Sequence, residues 1–73
     1  MTGEQYQHAI DRLGMSQVGS ARFFDVAERT PRKWIADVHP IPMAVEMLLY
    51  VMMHYSLTPE NVMHIAHRDR VAS

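Results

Sequence analysis

The stretch Gln17 to Ala36, QVGSARFFDVAERTPRKWIA, spaces its small, apolar and charged residues as two short helices joined by a tight turn require. Where two such helices cross, their axes approach near the middle of the first, so the residue there has to be small. Ala21 stands at that position, flanked by Gly19 and Ser20. Phe24 closes the first helix on its inner face, Asp25 and Val26 make the turn, and Val26 and Trp34, eight residues apart, anchor the pair inward. Ser16 is placed to cap the first helix, expected over about 17–24; the second is expected from 28 or 31 to 36. Glu28, Arg29, Arg32 and Lys33 are left pointing outward. A charged outer face at the start of a projecting second helix is what reaches base edges in the major groove, so the stretch reads as a helix-turn-helix over about 17–36.

At these residues the chain resembles the phage-repressor, or Xre-like, helix-turn-helix family of bacterial and phage transcription regulators. Gln17, Ala21, Phe24, Val26 and Trp34, and the run Glu28-Arg29-Thr30 before Arg32-Lys33, follow that family's pattern. Two positions depart from it. The turn carries Asp25 where glycine is usual, and aspartate visits the left-handed region only at some cost. Pro31 replaces an aliphatic residue; proline is tolerated in a first turn, whose N–H groups lack intrahelical partners, so the helix is expected to start late, with Thr30 as cap and Pro31 first. The resemblance implies a sequence-specific regulator, most often a homodimeric repressor of its own operon, bound to an inverted repeat.

Within that expectation the candidate DNA-binding residues are Ser16, Gln17, Glu28, Arg29, Thr30, Arg32 and Lys33. The forked guanidinium groups of Arg29 and Arg32 suit bidentate pairing with guanine, whereas Lys33 suits a phosphate. Glu28 suits either a cytosine amino group or a helix N-terminus. Ser16 and Gln17, at the start of their helix, are placed to help hold a phosphate. The charge distribution agrees: residues 12 to 33 hold five of the seven basic residues against two acids, while the whole chain carries a formal charge of −1. Such a balance suits binding at a chosen site better than binding to bulk DNA.

The 73 residues are expected to form one all-α, compact five-helix domain, residues 1–73, of a size that buries only about 60–65% of its unfolded surface. Without cysteine, neither disulfides nor a thiolate zinc site can help, and a reducing cytoplasm is the expected compartment. No apolar run reaches the 18 or so residues of a membrane span, and Met1-Thr2-Gly3-Glu4 lacks the form of a signal peptide. Thr2 and Gln5 read as a capping box opening a helix over about 3–13, with Tyr6, Ile10 and Leu13 on its inner face and Gly14 as its terminator. His39-Pro40-Ile41-Pro42 lies in a loop.

Residues 43–55, MAVEMLLYVMMHY, are apolar nearly all round, and a helix of that kind must be covered all round. Ala44, Leu48, Val51 and Tyr55 are expected to line the core. The stripe of Val45, Leu49, Met52 and Met53, with Val62 and Met63 from a helix over about 59–68, is then expected to meet a second copy of the chain. Thr58 and Pro59 open that last helix, and the tail from Arg68 is expected to fray. The same apolar face leaves open a second function, a protein-binding adaptor or antitoxin-like module. His54, His64 and His67 have no carboxylate four residues on, no cysteine beside them and no H-E-x-x-H arrangement, so no metal or other cofactor is expected. An enzyme is not expected either: there is no cysteine nucleophile, paired carboxylate or glycine-rich phosphate loop.

Overall fold

The computed structural model describes residues 1–72, as five helices in chain order: α1 (Gly3–Arg12), α2 (Gln17–Phe23), α3 (Thr30–Ile35), α4 (Met43–His54) and α5 (Pro59–Ala72). No strand occurs among the described residues, and no helix is long and apolar enough to cross a membrane. The capping box at α1 is complete, with Thr2 Oγ1 accepting from the Gln5 N–H at 3.1 Å and Gln5 Oε1 accepting from the Thr2 N–H at 2.7 Å. Thr58 and Asn61 make the same reciprocal pair at the start of α5.

The first four helices end alike. In each, the residue after the C-cap turns left-handed, and its own N–H and that of the next residue bond back to the last turn, the Schellman arrangement. The left-handed residues are Gly14, Asp25, Asp37 and Ser56, with φ of 78°, 57°, 58° and 54°. The N–H of the next residue, Met15, Val26, Val38 or Leu57, reaches the carbonyl of Ile10, Ala21, Lys33 or Met52 at 2.8–2.9 Å. Three of the four sharp reversals therefore place a side chain where glycine fits best, each at a modest conformational cost.

Those reversals fold α1, α3 and α4 around a core of Tyr6, Ala9, Ile10, Met15, Trp34 and Leu49. Trp34 stands edge-on to Tyr6 at 5.4 Å and to Phe24 at 6.5 Å, so one indole joins α1, the end of α2 and α3. A further close approach lies between α1 and α3. A Cβ at Gly3 would overlap the main-chain carbonyl of Ile35, and the Gly3 N–H donates to Asp37 Oδ1 at 2.9 Å, so the first turn of α1 rests on the end of α3. Gly3→Ala should therefore destabilise the fold by about 1–3 kcal/mol, as overpacking does. At this size each kcal/mol lowers the thermal midpoint by about 4–8 °C, which circular dichroism will read; an unchanged midpoint would mean that this contact does not hold in solution.

Three expectations are corrected. α3 begins at Thr30 with Arg29 as its N-cap, and no side chain caps it; Pro31 is fully buried in the first turn, where its missing N–H costs nothing. α5 runs on as a helix past Arg68 to Ala72. In α4 the two stripes are largely exchanged: Leu49 and Met52 are wholly buried, with Val45 and Met53 packed against the core, whereas Ala44, Val51 and Tyr55 face solvent and Leu48 is half-buried. Periodicity cannot choose a face on a helix that is apolar all round. Packing of Leu49, Val45 and Met53 on the core fixes it, and Glu46, on the same side, meets the Met1 ammonium at 3.0 Å.

α5 stands apart. Its residues beyond Pro59 and Val62 are exposed as far as Arg70, and the molecule extends 38 × 24 × 20 Å. The radius of gyration of 12.3 Å exceeds the roughly 11 Å expected of a compact 73-residue domain, as a projecting helix requires.

Candidate nucleic-acid interface

The α2–α3 pair has two distinct sides. Inward, Ala21, Pro31 and Trp34 are buried, and Phe24 and Val26 pack on the core. Outward, Glu28, Arg29, Arg32 and Lys33 are all exposed, and Thr30 is half-buried. Glu28 and Arg29 precede the helix, in the turn that leads into it, whereas Arg32 and Lys33 lie within it. Among the described residues, none of Arg29, Arg32 and Lys33 has an ion-pair partner, so their charge is uncompensated within the molecule.

The start of α2 is held by two chains of hydrogen bonds from α1. In the buried one, the Tyr6 hydroxyl donates to Ser20 Oγ at 2.8 Å, and Ser20 donates in turn to the Gln17 carbonyl at 2.8 Å. Burial pushes the Tyr6 phenol above its ordinary pKa, with the Ser20 bond opposing the shift, so the hydroxyl stays protonated as the donor. In the exposed chain, Gln17 Nε2 donates to Gln7 Oε1 at 3.2 Å, and Gln7 Nε2 donates to Asp11 Oδ1 at 2.8 Å. Ser16 Oγ accepts from the Gly19 N–H at 2.9 Å, which leaves its own hydroxyl proton free to donate outward.

Tyr6, Gln7 and Ser20 thus position the candidate site without belonging to its charged face. Ser20 read only as a small residue allowing close approach, and Tyr6 only as apolar filling. A signal was present in principle, since a tyrosine on a buried face has a hydroxyl that must find a partner. Gly19 is not needed for helix approach, because a Cβ there would meet only Ser16 Oγ, at 3.1 Å.

The remaining candidates separate in space. Of the six residues expected at a subunit contact, Leu49 and Met52 are excluded by their burial inside this chain, Val45, Met53 and Val62 are half-buried, and Met63 is exposed. His54, His64 and His67 are exposed, and no group of three or more His, Asp or Glu side chains able to hold a metal ion is present among the described residues. In comparisons with known proteins, no family model matches the chain, and no curated protein or solved structure matches it significantly.

Proposed function

We propose that this chain is a homodimeric, sequence-specific DNA-binding regulator of transcription, a bacterial or phage repressor working in the bacterial cytoplasm, that reads the major groove with the outer face of α3. The observation that carries this reading is the two-sidedness of the α2–α3 pair: the inner residues are consumed by the core, while three exposed and unpaired cations stand within residues 29–33. Arg29 and Arg32 are the base readers, with Glu28 and Thr30 beside them; Lys33, Ser16 and Gln17 fix the helix against phosphates. Two such helices about 34 Å apart enter successive major grooves on one side of the duplex, and a protein seated there excludes polymerase.

The test is selection of binding sites from random double-stranded DNA. The expected product is an inverted repeat with half-site centres about 10 base pairs apart or a multiple of that spacing. Sites with no dyad, or no enrichment at all, would sink the reading. One observation favours a different function, an adaptor or antitoxin-like module that binds a protein: the solvent-facing side of α4 is apolar. Under that reading, function tolerates loss of Arg29, Arg32 and Lys33 and depends on α4 and α5 instead.

A further inference from the structure

Two hydrogen-bond chains from α1 end on one residue, Gln17. The buried chain, through Tyr6 and Ser20, fixes its main-chain carbonyl; the exposed chain, through Asp11 and Gln7, fixes its side-chain amide. The exposed chain has a direction that chemistry imposes. An ionised carboxylate can only accept, so Asp11 Oδ1 takes the Gln7 Nε2–H at 2.8 Å and leaves Gln7 with Oε1 on its other side. That oxygen can only accept in turn, so Gln17 presents Nε2 to it at 3.2 Å. Gln17 is exposed, and its second Nε2 hydrogen is left for an acceptor outside the chain. Without the carboxylate the chain would have no preferred sense, because two glutamine amides pair equally well either way round.

Asp11 is otherwise out of place. It stands one side chain away from Gln17, and an acid beside a phosphate contact repels the phosphate. Among the described residues it has no ion-pair partner, and its carboxylate is engaged by Gln7. Gln7 and Asp11 are four apart on α1, a spacing that steadies a helix slightly. That role needs no third member, yet the chain continues to Gln17 on another helix.

We propose that Asp11 and Gln7 are positioning residues for Gln17: the charge of Asp11, relayed through the Gln7 amide, holds the Gln17 amide with an Nε2–H toward a DNA phosphate. This rests on the DNA-binding reading and extends its site to two residues of α1, outside the α2–α3 pair. A free glutamine side chain gives up its rotamer freedom on binding, whereas one already held has little left to lose. The acid thereby acquires a use. Its charge orients the two amides, and the group offered to the DNA is a donor.

The experiment is a set of binding isotherms on the selected operator and on scrambled DNA, with urea midpoints, for the full chain and five variants. Gln7→Ala is expected to weaken both DNAs alike, by roughly 2- to 12-fold per half-site, the fold-change that goes with ordering one long side chain anew. Because it acts through Gln17, it should add nothing to Gln17→Ala in the Gln7→Ala/Gln17→Ala double variant. Asp11→Asn removes a negative charge, so electrostatics alone would tighten binding; the relay requires weaker binding, because an asparagine lets the amides reverse. The swap Gln7→Glu/Asp11→Asn keeps the net charge and sets an acceptor-only group against Gln17, so it should recover binding lost in Asp11→Asn. These bonds lie at the surface, and the urea midpoints should stay close to that of wild type. Gln7→Ala binding as wild type, Gln7→Ala and Gln17→Ala effects that add, or tighter binding by Asp11→Asn would each overturn the proposal. The two readings fail distinguishably: a wild type that selects no DNA removes both, whereas operator binding indifferent to Gln7 and Asp11 removes the positioning alone.

Discussion

Trp34→Ala is expected to remove a large part of the chain's stability and to lower its urea midpoint sharply. The indole is 3% exposed and stands edge-on to both Tyr6 and Phe24, so its removal opens a cavity where α1, α2 and α3 meet. Truncating a buried tryptophan costs about 3–5 kcal/mol. A domain of 73 residues has only about 4–11 kcal/mol to lose, at typical values per residue. Far-UV circular dichroism with urea titration is the measurement, with Trp34→Phe as the milder partner that keeps an edge-to-face ring. Wild-type helicity and an unchanged urea midpoint for Trp34→Ala would show that the indole is not what joins the three helices. Fluorescence serves wild type as an independent probe, because Trp34 is the only tryptophan.

The second large effect concerns DNA. Arg29→Ala and Arg32→Ala should each weaken binding to the selected operator by about 1–3 kcal/mol per half-site, roughly 5- to 150-fold, and relax preference at one base pair only. Both side chains are exposed and unpaired, so neither change should disturb the fold. Lys33→Ala should behave differently. A phosphate contact carries no sequence information, so operator and scrambled DNA should weaken alike, and the salt slope should fall by roughly one unit per lost contact. Isotherms on both DNAs at several salt concentrations separate the two patterns. If the Arg29→Ala/Arg32→Ala double variant holds the operator as tightly as wild type, this face does not read DNA, and the protein-binding function moves ahead.

Local chemistry made much of the architecture legible. Thr2 with Gln5, Ser16 with Gly19, and Thr58 with Asn61 satisfy orphan N–H groups within three residues, so three helix starts were readable from short stretches of chain. Gly14 marked the end of α1 for the same reason, and Asp25 could be placed in the turn because its neighbours demanded a reversal there. The outer position of Glu28, Arg29, Arg32 and Lys33 followed from the inward demand of Ala21, Val26 and Trp34. Each of these depends on spacing along the chain, and spacing is what a sequence states directly.

Three features were decided only when distant segments met. The orientation of α4 was one: with apolar residues on every side, its phase was set by the packing of Val45, Leu49 and Met53 on a core shared with α1 and α3, and most of the stripe expected inside came to lie outside. Gly3 was another, since its need for no side chain comes from the Ile35 carbonyl and not from its own helix. The last was the Tyr6–Ser20–Gln17 chain, which fixes the start of α2 through bonds that span 14 residues. The sequence by itself determined where α1, α2 and α5 start, where the chain turns and where it carries charge, because capping and periodicity act within a few residues. Tertiary structure alone decided which apolar face is buried, which glycine is indispensable and which hydroxyls hold the candidate site, because those depend on partners brought close only by folding.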